Sequence, residues 1–295
     1  MTKRLLISFA HPDDESFGLG SFIGRYVAEG VEVYLLCATN GDVGTVSPEM
    51  LNGYSSIAEL RLAELECANQ ILGFKDIHLL RYKDSGMMGS ETTQDPQCLW
   101  YQWQHNPDDV TRKVVDVIRQ VRPHVIITFN EYGGYGHPDH IAIQQATVKA
   151  FELAGDVTYK TEYAPYQPQK LYYNRFPTLL LRIGILFMRL TGKDPRKAGV
   201  NEDIDLQAIL DHVQPATTAI DIAAYREIGQ RASACHRSQG GGRMTNNLLL
   251  RLLGWWQSRK QLLTRVSPPP ERAGIIEHDV FENVMLDEPS MEQLS

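Results

Sequence analysis

The sequence predicts an α/β three-layer domain with a mainly parallel, Rossmann-like sheet and an elaborated C-terminal half. Two observations carry this. Apolar runs of strand length alternate with helix-length segments through the first half of the chain, the pattern of βαβ units and a parallel sheet. The two loops richest in reactive side chains directly follow two of the predicted strands. Open α/β sheets place ligands there, beyond the carboxyl ends of the strands, near the point where strand order reverses.

Leu5 to Phe9 reads as a buried strand, and a helix from about Ser16 to Glu29 is stopped by Gly30. Val31 to Ala38 is a second strand, followed by a polar loop from Thr39 to Gly44. A helix from about Ser55 to Leu72 ends at Gly73, a typical C-terminal stop. Ile77 to Leu80 is a short strand, and Asp108 to Val121 a helix whose entry suits Pro107. Val125 to Phe129 is a further strand, then comes a Gly-rich loop and a helix from about Asp139 to Leu153.

The second half is less regular. Leu171 to Tyr173 suits a strand, while Phe176 to Leu190 and Ile222 to Ala234 suit helices. Asn246 to Leu263 reads as an amphipathic helix rich in Leu and Trp, and Ser267 to Pro270 as a break. One domain over 1–295 is expected, with a core at about 4–153 and a C-terminal extension at about 170–280. Segments 175–215 and 240–295 match no motif, and the first has the length of a lid or substrate wall.

Among 295 residues, 43% are apolar and 22% charged, ordinary globular values that exclude wholesale disorder. The net charge of −7 argues against a nucleic-acid binder working by general attraction. Four dispersed cysteines, Cys37, Cys67, Cys98 and Cys235, suggest neither a disulfide framework nor a thiolate metal site, so a reducing cytoplasm is expected. The N-terminus lacks the long apolar stretch of a signal peptide. Phe176 to Leu190 is too short and too charged to span a bilayer. Its basic, apolar pattern, like that of Asn246 to Leu263, is better explained by burial against the sheet or a second subunit than by a membrane surface. A homo-oligomer is thus compatible with the sequence, and membrane contact is disfavoured. Trp255 and Trp256 are assigned to core or interface.

The first reactive loop is Ala10-His11-Pro12-Asp13-Asp14-Glu15, and the second runs from Glu131 through His137-Pro138-Asp139-His140. Three carboxylates crowded at a strand end are unfavourable unless a cation or hydrogen-bond donors offset them. Either motif alone could be a helix N-terminus with acidic residues against the dipole. Together they offer histidines and carboxylates from separate loops, and two histidines with one carboxylate make a catalytic zinc set. Such a site polarises a carbonyl and acidifies water, so the residues themselves point to metal-assisted hydrolysis.

AHPDDE followed by GHPDH resembles the LmbE-like (PIG-L) family of zinc-dependent de-N-acetylases. Thr39 to Asp42, Arg61 to Leu65 with Leu72-Gly73, and Ala234 to Gln239 resemble further elements of that family. Arg81 to Met87 and Gly133 to His140 resemble its mycothiol branch, which holds an N-acetylglucosaminyl-inositol deacetylase and a mycothiol S-conjugate amidase. The resemblance implies His11, Asp14 and His140 as metal ligands. It implies Asp13 as the general base and His137 as the group that stabilises the oxyanion or protonates the amine. Asp139 is expected to orient His137, and Tyr135 to reach the tetrahedral intermediate. Arg61 and Asp84 match substrate contacts, with a solvated helix face and a turn as their structural alternatives. His236 is expected at the pocket rim or capping a helix end, and Glu15 to accept backbone N–H groups or orient a neighbour. Asn40 and Asp42 suit either a turn or the pocket wall.

The function expected is removal of acetyl from an N-acetylglucosamine unit in a small glycoconjugate, with zinc as cofactor, though ferrous iron or another divalent ion suits the same donors. The alternatives are an amidase acting on a thiol S-conjugate and a sugar-binding protein without turnover. The intact set of His11, Asp13, Asp14, His137 and His140 argues against the latter. The aglycone (inositol, malate, a lipid or an antibiotic sugar) is left open.

Overall fold

A computed structural model describes residues 2–175, 178–198, 204–242 and 259–286. The chain runs through β1 (Arg4–Phe9), α1 (Asp14–Ala28), β2 (Glu32–Thr39), α2 (Ile57–Leu72), β3 (Asp76–Tyr82), α3 (Leu99–His105), α4 (Pro107–Val121) and β4 (Val125–Thr128). A distorted turn, α5 (Gly133–Gly136), leads into α6 (Pro138–Leu153). Then come β5 (Lys170–Arg175), α7 (Leu179–Leu190), α8 (Leu206–Asp211), β6 (Thr218–Asp221), α9 (Arg226–Cys235) and β7 (Lys260–Ser267).

The strands form one sheet in the order β3-β2-β1-β4-β5-β7-β6. The first five are mutually parallel, and β7 runs antiparallel between β5 and β6. β1 and β4 are buried almost throughout, as interior strands covered on both faces must be. The chain leaves β1 toward β2 on one side and later returns to β4 on the other. The topological switch therefore lies between β1 and β4, so the loops after these two strands share one crevice.

Helices α1, α2 and α9 pack together, as do α3, α4 and α6. Right-handed crossovers put the two groups on opposite faces, giving three layers. α2 starts where the Ser56 hydroxyl accepts the Glu59 N–H at 3.1 Å, and Glu59 in turn accepts from Ser55 N at 2.7 Å. It ends at Gly73 with φ 79°. α1 and α9 meet at Gly20 and Gly229. A Cβ on Gly229 would sit 2.6 Å from Ser21 N, so the close approach needs glycine. That approach carries the end of α9 to the base of α1.

Three expectations are corrected. Cys67 in α2 and Cys235 in α9 form a disulfide across 168 residues of sequence. Distant cysteines brought together by helix packing leave no spacing signal, which is why counting motifs missed the bond. Lys260 to Leu263 belongs to strand β7 rather than to a helix, Arg259 stands in a turn before it, and 246–258 of that expected helix, with Trp255 and Trp256, lie outside the described residues. Finally, α7 is not covered by the sheet. Leu179, Ile183, Leu186, Phe187 and Leu190 form an exposed stripe, and Ile185 is the one buried apolar residue of the helix. No described helix is long and apolar enough to cross a membrane.

The edge made by β5, β7 and β6 is tied to the segment after β7 by a buried charge cluster. Lys170 Nζ lies 2.6 Å and Arg265 Nη1 2.7 Å from Glu277 Oε1. The Tyr172 and Thr218 hydroxyls donate to Oε2 at 2.8 and 3.0 Å. Glu277→Ala leaves Lys170 buried without its carboxylate. It is expected to cost about 3–5 kcal/mol of unfolding free energy, measured by urea denaturation. Burial alone raises the Glu277 pKa, but Lys170, Tyr172 and Arg265 together hold it below its ordinary 4.5. A carboxyl lowered by folding stabilises in full above its unfolded pKa and loses that contribution as pH falls through the folded value. The stability gap between wild type and Glu277→Gln is therefore expected to narrow only below about pH 4.5.

Candidate metal centre and active site

The loop after β1 delivers His11, Asp13 and Asp14, and the loop after β4 delivers Tyr135, His137, Asp139 and His140. His11 Nδ1 and His140 Nε2 lie 3.0 Å apart. Asp14 Oδ2 is 3.5 Å from His11 Nδ1, and Asp14 Oδ1 is 3.4 Å from His140 Nε2. Bonds of about 2.0–2.1 Å to a tetrahedral ion separate neighbouring donor atoms by about 3.3 Å, so the three groups fit such an ion.

The outward-facing atoms of these side chains are already engaged. His140 Nδ1 is 2.9 Å from Gly133 O, which fixes its proton there and leaves the Nε2 lone pair free. Gly133 has φ 63°, and a Cβ on it would come within 2.7 Å of His140 Cβ, so glycine is required. His11 Nε2 is 3.1 Å from Asp139 Oδ2, which leaves Nδ1 free. Ser85 holds Asp139 through its N–H at 2.8 Å and through a very short hydroxyl bond to Oδ1. Asp14 Oδ2 accepts the His11 N–H at 2.8 Å. The His140 ring also stacks on Phe129, with centroids 4.0 Å apart.

A second group, His11, Asp84, His137 and Asp139, has its ligand atoms within 4.8 Å of one another. It suits an ion less well. Both Asp139 oxygens are bound by Ser85 and His11, and Asp84 Oδ1 stands 3.6 Å from His11 Nε2 and 3.9 Å from His137 Nε2.

Burial and charge set the protonation states. Burial pushes the Asp13 carboxyl up to about 7, against the lowering effect of Arg61. Burial also raises Asp14, but His140 and His11 outweigh it and hold it well below its ordinary value. Burial together with His11 and His140 depresses His137 to about 3. His140 falls to about 4, again chiefly through burial. Burial opposes charge on His11, yet Asp84, Asp139 and Asp14 prevail and raise its pKa. The pocket thus concentrates carboxylates that call for positive charge at His11 Nδ1, either a proton or a metal cation.

A cavity of about 390 Å³ opens over this cluster. His11, Asp13, Arg61, Asp84, Tyr135 and His137 all line it, together with Met87 and Gln239, which end two of the matched motifs, and Ser90, which motif reasoning did not single out. Arg61 is not a solvated helix-face charge. It is buried, lies 3.0 Å from Asp13 Oδ2, and donates to Pro12 O at 2.6 Å and Gly41 O at 3.2 Å. Asn40 and Asp42 stabilise the loops. Asn40 Oδ1 accepts from Asp42 N at 3.2 Å, and Asp42 Oδ1 from Asp84 N at 2.9 Å.

One placement differs from expectation. Asp139 touches His11, while His137 Nδ1 is 4.0 Å from its carboxylate and instead accepts the Asp139 backbone N–H at 3.2 Å. Of its two expected places, His236 takes the cap at the end of α9 and does not line the cavity. It is fully buried, with Nε2 2.8 Å from Glu15 Oε1, because α9 ends beneath the start of α1 rather than at the pocket rim. Ser85 gave no signal of its own, since one serine in a turn is common. Its place in Asp84-Ser85-Gly86, directly after a strand, was the available clue.

Fold and cluster together define an α/β protein with a buried histidine–carboxylate group, at a topological switch point, that could hold a metal ion. The chain belongs to the PIG-L family, described as GlcNAc-PI de-N-acetylase, whose pattern matches residues 6–151. It is 38% identical over 246 residues to the 1D-myo-inositol 2-acetamido-2-deoxy-alpha-D-glucopyranoside deacetylase of Thermobifida fusca, covering 80% of this chain and 83% of that protein. The protein of the same name from Thermomonospora curvata is 35% identical, with 80% of each chain covered. The N,N'-diacetylchitobiose deacetylase of Pyrococcus horikoshii shares the fold, with TM-score 0.59 and 17% identity over 91% of this chain and 87% of that one.

Proposed function

We propose that the protein is a metal-dependent hydrolase that removes the acetyl group from an N-acetylglucosamine unit in a small glycoconjugate, with a glucosaminyl-inositol as the first candidate. The observation that carries this is the juxtaposition of two histidine nitrogens and the Asp14 carboxylate, spaced 3.0–3.5 Å apart, with Asp13 on the wall of the same cavity. The names of the two relatives at 35–38% identity supply the substrate class.

His11 Nδ1, Asp14 and His140 Nε2 are assigned as the ligands, with zinc as the first choice of ion. Bound there, a divalent ion contributes Lewis acidity toward the amide carbonyl and acidifies water. Asp13 takes the proton from the attacking water on its carboxylate. His137 Nδ1 is occupied by the Asp139 N–H, so the neutral ring carries its proton on Nε2 and offers it to the developing oxyanion. Burial keeps the Tyr135 hydroxyl protonated, a second donor at the cavity wall. Arg61 fixes the Asp13 carboxylate, and Asp84, Ser90 and Gln239 offer partners for sugar hydroxyls.

A cytoplasmic location remains part of this reading. The Cys67–Cys235 bond makes it testable by trapping thiols in cells, because disulfides there are uncommon.

The deciding experiment measures free-amine release from N-acetylglucosaminyl-inositol and from N-acetylglucosamine, with metal content determined on the same sample. Release that a chelator abolishes and zinc restores is the expected result. Bound metal without release from either sugar would favour an S-conjugate amidase. A protein that binds no divalent ion would overturn the reading.

A further inference from the structure

We infer that Glu15 and His236 form a buried positioning pair that holds Asp13 in the conformation needed for proton transfer. The role, though not the contacts, rests on the hydrolase reading above. Asp13 is a non-glycine residue with φ 135°, a strained conformation that persists only where surrounding contacts enforce it. Its N–H donates to Glu15 Oε2 at 2.9 Å. Glu15 is completely buried, and its other oxygen accepts from Ser16 Oγ at 2.6 Å and lies 2.8 Å from His236 Nε2. His236 is equally buried, and its Nδ1 has no hydrogen-bond partner among the described residues. Among the described residues the imidazole thus makes one side-chain hydrogen bond, to Glu15, and its ring meets the edge of Phe17 at 5.9 Å between centroids.

The neighbouring residue gives this arrangement its rigidity. Cys235 is bonded to Cys67 in α2, the helix that also supplies Arg61 to the Asp13 carboxylate. Asp13 is held through its backbone by Glu15 of α1, which His236 at the end of α9 contacts, and through its side chain from α2, and α2 and α9 are covalently joined. Neither Glu15 nor His236 lines the cavity, so neither touches a substrate bound there.

The test compares His236→Ala, His236→Gln and Glu15→Asp with wild type, reading kcat, KM and bound zinc. His236→Ala is expected to lower kcat about 10- to 100-fold, the scale of an ångström-size misplacement of a reacting group. KM and zinc content should stay unchanged. His236→Gln, whose amide can still donate to Glu15, should recover most of the loss. In an Asp13→Ala background, His236→Ala should add almost nothing, because a group acting through Asp13 has nothing left to position. Unchanged kcat with a lowered melting temperature would overturn the inference, as would an undiminished effect in the Asp13→Ala background. If His236→Ala does not fold, Glu15→Asp carries the same expectations. A crystal structure of the variant decides the contact independently of turnover. Asp13 should leave its positive φ and separate from Arg61, and an unmoved Asp13 would overturn the positioning claim. Absence of amine release by wild type would instead remove the hydrolase reading alone.

Discussion

Asp13→Ala is expected to lower amine release by about 100- to 10,000-fold while the protein retains its metal. Asp13 is not one of the three closely spaced donors. Its carboxylate is turned to Arg61 at 3.0 Å, on the cavity wall. Only its deprotonated form accepts a proton, so the rate must rise with pH through its pKa. Burial pushes that value up to about 7 without metal, and the charge of a bound cation lowers it. The acid limb of the wild-type profile is therefore expected below pH 7, and Asp13→Ala should lose it. Rates across pH, with metal analysis on each sample, check both parts. Loss of metal equal to that in a ligand variant would undo the assignment of Asp13 as base.

His140→Ala is expected to abolish metal binding and, with it, activity. Its Nε2 lies 3.0 Å from His11 Nδ1 and 3.4 Å from Asp14 Oδ1, in the set assigned as the ligands. The remaining pair, His11 and Asp14, comes from a single loop and leaves the site with two protein ligands, whereas catalytic zinc sites use three. Even loss of an outer hydrogen-bond partner costs roughly 10- to 100-fold in affinity, so loss of a ligand should exceed that. Competition against a calibrated chelator measures it. Retained stoichiometric metal would mean that the ion is held by the His11, Asp84, His137 and Asp139 group instead.

The first half of the fold was legible because its signals are local. Leu5 to Phe9 is a continuous apolar run, Gly73 stops α2, and Pro107 opens α4, each readable within one turn or one strand. β6 and β7 were not legible. Thr218–Asp221 is only four residues long, and the Leu262-Leu263 pair at the start of β7 fits a helical stripe as well as a strand. What makes β7 a strand is pairing on both sides, with β5 and β6, and both partners are distant in sequence. The same distinction holds at the site. His11, Asp13, Asp14, His137 and His140 stand in two compact motifs. Ser85, Glu15 with His236, and Cys67 with Cys235 act across 54, 221 and 168 residues of separation.

By itself, then, the sequence determined the α/β class and the two strand-end loops in which histidines and carboxylates cluster. Periodicity, caps and clustered charge act over a few residues, so they are written in the chain. Tertiary structure decided the rest: which nitrogen of His11 and His140 is engaged by Asp139 and Gly133, that Arg61 is buried on Asp13, and that His236 lies beneath the start of α1. These choices depend on side chains from separate layers meeting in a low-dielectric interior, where every buried donor and carboxylate needs a partner and only the packed fold determines which one it finds.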